Sequence, residues 1–181
     1  TLSRANIGPN NGKKINLKDK VFFKKDRQQK NNFSIDVLSE KNNVIRVLKG
    51  PQFNYFSKTA QKEFFSQEYK ITNLTDRMGM RLEGKGLENI VSTNIRSEGI
   101  TKGAIQVPED GQPIVLLTDH PTIGGYPKIA NVISSDYDLL VQKIPGTNIE
   151  FKCIELKEAE EAFKIYYDKI SKDLNNISIL K

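Results

Sequence analysis

Cysteine is almost absent. Cys153 is the only one, so no disulfide can form within the chain and no multi-cysteine zinc site can be built, which makes a reducing, cytoplasmic setting the default expectation. Tryptophan is missing and His120 is the sole histidine. One imidazole cannot supply a multi-histidine metal site, and no metal is expected. The chain lacks the G-x-S-x-G, P-loop and H-E-x-x-H signatures, so the generic marks of a serine hydrolase, a phosphate-cradling loop and a zinc protease are all missing. No apolar run approaches the roughly 20 residues of a membrane span. The first residues show no charged start followed by an apolar stretch, the pattern of a secretory signal. The chain opens on Thr1 rather than on a methionine, which is compatible with a fragment.

What is present reads as a globular chain. Of 181 residues, 37% are hydrophobic and 28% charged, enough to bury a core. The net charge of +6 raises the question of nucleic acid, because clustered Lys and Arg neutralise phosphates. The distribution answers it. Positive charge is densest from Lys13 to Lys30, among Asn and Gln, whereas Lys157, Glu158, Glu160, Glu161 and Lys164 mix signs. A solvated surface is expected, with neither nucleic acid nor membrane as a partner.

Along the chain, Ile15, Leu17, Val21 and Phe23 recur at even spacings that suit extended structure, and Gln28 to Asn43 reads as a connector. Val44 to Leu48 predicts a strand stopped by Gly50-Pro51. Ser57 is placed to cap a short helix through Phe65 that turns Ala60, Phe64 and Phe65 to one side. Short apolar runs then follow at Tyr69 to Ile71, Met78 to Leu82, Ala104 to Val107, Ile114 to Leu117 and Ile129 to Ile133. Many short strands without long helices between them predict a β-barrel or sandwich. Ser135 and Asp138 have capping-box spacing ahead of a helix carrying Leu139, Leu140 and Val141. Pro145-Gly146 turns the chain into a strand from Asn148 to Leu156, and Lys157 to Leu174 predicts an amphipathic helix with Ala159, Ala162, Phe163, Tyr166, Ile170 and Leu174 on one stripe.

Three runs carry candidate chemistry. Thr118-Asp119-His120-Pro121-Thr122-Ile123-Gly124-Gly125-Tyr126-Pro127-Lys128 combines a carboxylate, an imidazole and hydroxyls with two glycines that let backbone N–H groups approach a ligand; an ordinary tight turn is the bland alternative. In Asp76-Arg77-Met78-Gly79-Met80-Arg81-Leu82, alternation sets Arg77, Gly79 and Arg81 on one face, where two guanidinium forks could grip a carboxylate or phosphate or pair with Asp76 and Glu83. Ser97-Glu98-Gly99 and Gly103-Ala104-Ile105-Gln106-Val107-Pro108 add one carboxylate and one amide beside a strand. Cys153 shares a strand face with Phe151 and Glu155, where a buried inert thiol is favoured over a nucleophile.

Taken in order, these runs resemble one family. Arg46-Val47-Leu48 with Gly50-Pro51-Gln52 and Tyr55-Phe56, Asp76 to Leu82 with Gly84, Ser97-Glu98-Gly99-Ile100, Gly103 to Pro108 with Gly111 to Leu116, and Gly124-Gly125-Tyr126-Pro127-Lys128-Ile129-Ala130 closely resemble the family of 5-oxoprolinase C subunits, also called allophanate hydrolase subunit 2 or the biotin-dependent carboxyltransferase family. The match runs over residues 44 to 155 and continues more weakly through Thr1 to Ala5 and Gly12 to Val21, as the C-terminal two thirds of the usual chain. Two places depart from it. The family's Asp-Arg-Gln-Thr-Thr reads Asp119-His120-Pro121-Thr122-Ile123 here, and Asp76 stands where many relatives have Asn, a position that in the carboxyltransferase relatives belongs to the substrate site.

The resemblance implies a mainly β, α+β fold: a cyclophilin-like barrel core over 44–156, preceded by a partial β unit and connector over 1–43 and followed by a C-terminal amphipathic helix and tail over 157–181. It implies a component that works with the A and B subunits of the enzyme in the ATP-dependent opening of 5-oxoproline to glutamate, or in a urea amidolyase-type carboxyl transfer. ATP would be used by the complex with no site assigned to this chain, and the use of biotin is left open. The isolated chain is expected to be inactive. The expected substrate site, for a small amide or carboxylate, comprises Asp76, Arg77, Arg81, Gln106, Asp119, Thr122, Gly124, Gly125, Tyr126 and Lys128; no catalytic residue is assigned. The rival expectation is a non-enzymatic regulatory module of the kind described as antagonising a sporulation-kinase inhibitor.

Overall fold

Alternation builds the walls of a barrel. In a computed structural model that describes residues 16–20, 32–34, 42–175 and 178–180, the strand β2 (Val44–Lys49) buries Ile45 and Val47 completely while its other side chains remain partly exposed. The same two-residue period turns Tyr69 and Ile71 inward from β3 (Glu68–Ile71), Met80 and Leu82 from β4 (Gly79–Glu83), and Ile149 and Phe151 from β10 (Asn148–Cys153). Three further strands, β6 (Ala104–Gln106), β7 (Ile114–Leu116) and β9 (Lys128–Val132), are buried almost throughout, so that wall is covered on both faces.

The seven strands close in the order β10, β2, β9, β6, β7, β4, β3. Every seam is antiparallel except the parallel pairing of β10 with β2. Closure removes the unpaired edges that would otherwise invite association. A separate two-stranded ribbon joins β5 (Glu98–Gly99) to β8 (Ile123–Gly124). It is tied to neighbouring backbone by the Ile100 N–H donating to Thr122 O at 3.1 Å and the Ile95 N–H donating to Gly125 O at 2.8 Å. Beneath it Ile100 packs with Ala104 and Leu116 as a small second core.

Helix α1 (Lys58–Ser66) starts where expected: Ser57 Oγ accepts the Ala60 N–H at 3.1 Å. It contributes Phe64, whose ring stacks on Phe151 at 4.9 Å between centroids, with Tyr69 5.5 Å from Phe151. Helix α2 (Ser134–Val141) departs from expectation, because Ile133 holds the cap position and no side chain caps the helix. Ser135 already lies inside the first turn, and Asp138 instead accepts from the Tyr166 hydroxyl. The acid that matters at this end is Asp136, which is buried and accepts from Arg46. Pro145 and Gly146 form a turn leading to β10, with Gly146 at φ +93°.

The last helix, α3 (Leu156–Asn175), is present and amphipathic, yet of the expected stripe only Ala159 is buried. Ala162 and Tyr166 are half-buried, Phe163 and Ile170 are exposed, and the Leu174 side chain lies outside the described residues. The bond to Asp138, with some burial, pushes the Tyr166 hydroxyl up to about 12. Because of α3, helices and strands occupy similar shares of the chain around the expected barrel.

By contacts the chain divides into Thr1–Ser34 with Ser178–Lys181, and Ile35–Ile177. In the first unit, β1 (Asn32–Ser34) pairs antiparallel with β11 (Ser178–Leu180), which puts Phe33 of the expected connector in a short strand. Residues 16–20 form a turn in which the Asn16 N–H donates to Asp19 Oδ2 at 2.8 Å, and Leu17 is fully exposed there rather than extended in a sheet. Ile15, Val21 and Phe23, and most of the basic Lys13 to Lys30 stretch, lie outside the described residues. No helix among the described residues is long and apolar enough to cross a membrane.

Candidate functional site

Five polar residues among those described are buried: Gln52, Gln61, Gln106, Lys128 and Asp136. Such groups cost several kcal/mol unless they are bonded, so each requires a reason. Gln61 donates to the Phe53 and Phe56 carbonyls at 3.1 and 2.9 Å and closes the turn before α1. Asp136 holds Arg46. The remaining three, Gln52, Gln106 and Lys128, gather at one place on the barrel wall.

A β-bulge gathers them. Ala104 faces Asn131 and Ile105 faces Ala130, but Gln106 then faces Lys128, leaving Ile129 as the extra residue of β9. Bulges re-aim side chains in this way. Here Gln106 and Lys128 become direct cross-strand partners, with Cβ atoms of such pairs about 5 Å apart. The displaced carbonyls find partners in the turn after β2, where the Gly50 N–H donates to Ile129 O at 2.8 Å and the Gln52 N–H to Lys128 O at 3.2 Å. Only glycine fits at 50, since a Cβ would lie 2.3 Å from Lys128 O. The turn delivers Gln52, whose Oε1 accepts the Lys128 N–H at 3.1 Å.

The ribbon supplies the fourth member. Glu98 on β5 accepts from Lys128 Nζ and, on the same Oε1, from Gln52 Nε2 at 2.7 Å. The Lys128 side chain is 6% exposed and that of Glu98 43%. Chiefly the hydrogen bond from Lys128, with a further one from Gln52, lowers the Glu98 carboxyl below its ordinary value of 4.5. Gly124, directly opposite Glu98 in the ribbon, lies over Gln106: a Cβ at 124 would stand 2.8 Å from Gln106 Nε2. That amide makes one long bond, 3.5 Å to Tyr126 O, which at this length is weak.

The other expected residues sit differently. Arg77 pairs with Asp119, Nε to Oδ2 at 2.8 Å and Nη2 to Oδ1 at 3.2 Å, so its fork is already filled. Arg81 points outward from β4 and has no hydrogen bond or ion pair to its side chain among the described residues; Arg77 precedes the strand, and the two arginines share no partner. Asp76 Oδ1 accepts the Met78 and Gly79 N–H groups at 2.8 and 3.1 Å, as a turn-former. Thr122 is exposed, and its carbonyl anchors the ribbon. Gly124 and Gly125 both have ordinary φ rather than the left-handed values that favour glycine, so close approach explains them: a Cβ at 125 would meet Ile95 O at 3.1 Å. Tyr126 is exposed at the rim. No hydrogen bond or ion pair links the Arg77–Asp119 pair to the Lys128 group.

Gln52 and Glu98 are the residues that sequence reasoning left out of the site. Both lie in runs that carry the family resemblance, but no local pattern links positions 52, 98, 106 and 128. Among the described residues no group of three or more His, Cys, Asp or Glu is placed to hold a metal. Cys153 is half-buried and burial pushes its thiol up, so it is not a ready nucleophile.

The family model for the carboxyltransferase domain, subdomains A and B, matches residues 1–153. The chain belongs to the carboxyltransferase domain family. It is 35% identical over 170 residues to the 5-oxoprolinase C subunit of Haemophilus influenzae, covering 92% of this chain and 55% of that protein. It is 36% identical over 137 residues to the 5-oxoprolinase C subunit of Escherichia coli K12, covering 74% and 44%. The chain thus spans about half the length of these relatives. Among solved structures, K. lactis urea amidolyase superposes with a TM-score of 0.68 at 23% identity, over 74% of this chain and 9% of that one, a likeness of fold. In this carboxyltransferase-family chain the Lys128 group lies on the barrel wall within the matched span, and α3 follows that span.

Proposed function

We propose that this carboxyltransferase-family chain belongs to a 5-oxoprolinase, working with homologues of that enzyme's A and B subunits to open 5-oxoproline to glutamate at the expense of ATP. The observation that carries the reading is the convergence of Lys128 Nζ and Gln52 Nε2 on one carboxylate oxygen, with the Gln106 amide across the strand. The naming of its relatives as C subunits of 5-oxoprolinase supports it. 5-Oxoproline carries a carboxylate and a ring amide. An ammonium and an amide donor suit the carboxylate, and charge-assisted bonds of this kind are the strong ones. A primary amide both donates and accepts, which complements a lactam N–H and C=O.

In this reading Lys128 and Gln52 hold the carboxylate, Gln106 orients the ring, and the Gly124-Gly125-Tyr126 segment closes over it. Arg81, with an uncommitted guanidinium, and the Arg77–Asp119 pair would shape the approach of an anionic substrate. ATP supplies the driving force for breaking the amide. ATP is used by the complex, with no nucleotide site assigned to this chain, and the use of biotin stays open. The test is to assay the full-length protein with homologues of the A and B subunits, 5-oxoproline and ATP. ATP-dependent release of glutamate is expected. No release with any partner set would leave the regulatory binding module as the better reading.

A further inference from the structure

The Lys128 group is a carboxylate site already occupied by the chain itself. Two donors, Lys128 Nζ and Gln52 Nε2, meet on a single oxygen of Glu98. Both belong to the barrel: Lys128 lies in β9 and Gln52 in a turn tied to the β9 backbone by the 3.2 and 3.1 Å bonds between residues 52 and 128. The acceptor does not. Glu98 lies on a strand of two residues, in a ribbon outside the closed barrel, and its side chain is 43% exposed.

From this asymmetry we infer that Glu98 is a displaceable stand-in, which an incoming small carboxylate expels from Lys128 and Gln52. The donors are held by the barrel and buried, whereas the acceptor is half-exposed to water already. Lys128, 6% exposed, cannot be left unpaired, because a lone buried ammonium costs far more than the pair. Whatever expels Glu98 must therefore bring a negative charge of its own, which makes the contact a filter against neutral amides. No bond is made or broken; one carboxylate replaces another, and the Glu98 charge passes to solvent. The inference rests on the site proposed above and adds how that site is kept closed.

The test uses the full-length protein and three probes: acetate, 5-oxoproline and the neutral lactam 2-pyrrolidinone. Binding is measured by calorimetry for wild type, Glu98→Gln and Glu98→Ala. A ligand that must first open a closed state binds more weakly by the fraction open, so both variants are expected to bind acetate roughly tenfold or more tightly than wild type, with 2-pyrrolidinone unchanged. Adding Lys128→Met to either variant is expected to abolish the gain. Unchanged or weaker acetate binding in folded Glu98 variants overturns the inference, as does an equal gain for 2-pyrrolidinone. If Glu98→Ala does not fold, Glu98→Gln keeps an acceptor for Lys128 and carries the test. A gain for acetate without any binding of 5-oxoproline supports the displacement and sinks the 5-oxoprolinase reading instead.

Discussion

Arg77 and Asp119 hold each other by both side chain and backbone: two guanidinium nitrogens reach the two carboxylate oxygens at 2.8 and 3.2 Å, while the Asp119 N–H donates to Arg77 O at 3.0 Å. The pair fastens the loop after β7 to the entry of β4. With Arg77 69% exposed, water screens most of the attraction. Arg77→Lys and Asp119→Asn are each expected to cost under about 1 kcal/mol, and a double-mutant cycle by urea unfolding to return a coupling of about 0.2–1 kcal/mol. A coupling of several kcal/mol would show the pair to be far better shielded than its exposure indicates.

Three glycines should rank by what surrounds them. A Cβ at Gly50 meets fixed backbone at 2.3 Å, one at Gly124 meets the end of the Gln106 side chain at 2.8 Å, and one at Gly99 meets nothing within 4 Å. Overpacking typically costs about 1–3 kcal/mol. Gly50→Ala is expected at or beyond the top of that range, Gly124→Ala within it, and Gly99→Ala near zero, measured as shifts in urea midpoint. Gly124→Ala should also move the Gln106 side-chain amide resonances.

Helix capping separates two serines that look alike in sequence. Ser57 bonds the Ala60 N–H, while Ser135 caps nothing. Ser57→Ala is expected to cost about 0.5–2 kcal/mol and Ser135→Ala under about 0.5 kcal/mol. Equal losses in thermal unfolding would contradict the assignment of the α2 start to Ile133.

Glu98 gives a pH dependence with a definite sign. Its carboxyl is held below the ordinary 4.5 in the folded chain, so the folded state favours the charged form more than the unfolded state does. The contribution is full above the unfolded value and is lost as pH falls through the folded one. The stability gap between wild type and Glu98→Gln, followed by urea unfolding, should be constant above about pH 5 and shrink below it. A gap that widens on acidification would reverse the sign.

Much of the barrel was legible because its signals are local. Tyr69 to Ile71 and Met80 to Leu82 alternate, Gly50-Pro51 breaks, and Ser57 caps, each within a few residues. Helix α3 was legible as a helix but not as a packed one, since periodicity shows that Phe163 and Ile170 share a face without showing what covers it. The site was half legible. Gln106 and Lys128 stand in separate runs, and their pairing depends on a bulge at Ile129 that no composition rule predicts, while Gln52 arrives from a turn and Glu98 from a ribbon strand 46 residues apart in sequence. Arg77 and Arg81 looked like a pair by strand alternation, but the strand begins at Gly79, after Arg77.

The most direct test of the proposed site compares Lys128→Met with Arg77→Lys in the reconstituted full-length complex, by kcat/KM for glutamate release from 5-oxoproline. Lys128→Met should fold, because the Glu98 it leaves behind is half-exposed and can turn to water. Removing one partner of a hydrogen-bonded charge pair with a buried member costs about 2–5 kcal/mol, so a fall of about thirtyfold or more is predicted for Lys128→Met, with Arg77→Lys within about tenfold of wild type. Wild-type kcat/KM in a folded Lys128→Met complex would contradict the placement of the substrate carboxylate on Lys128.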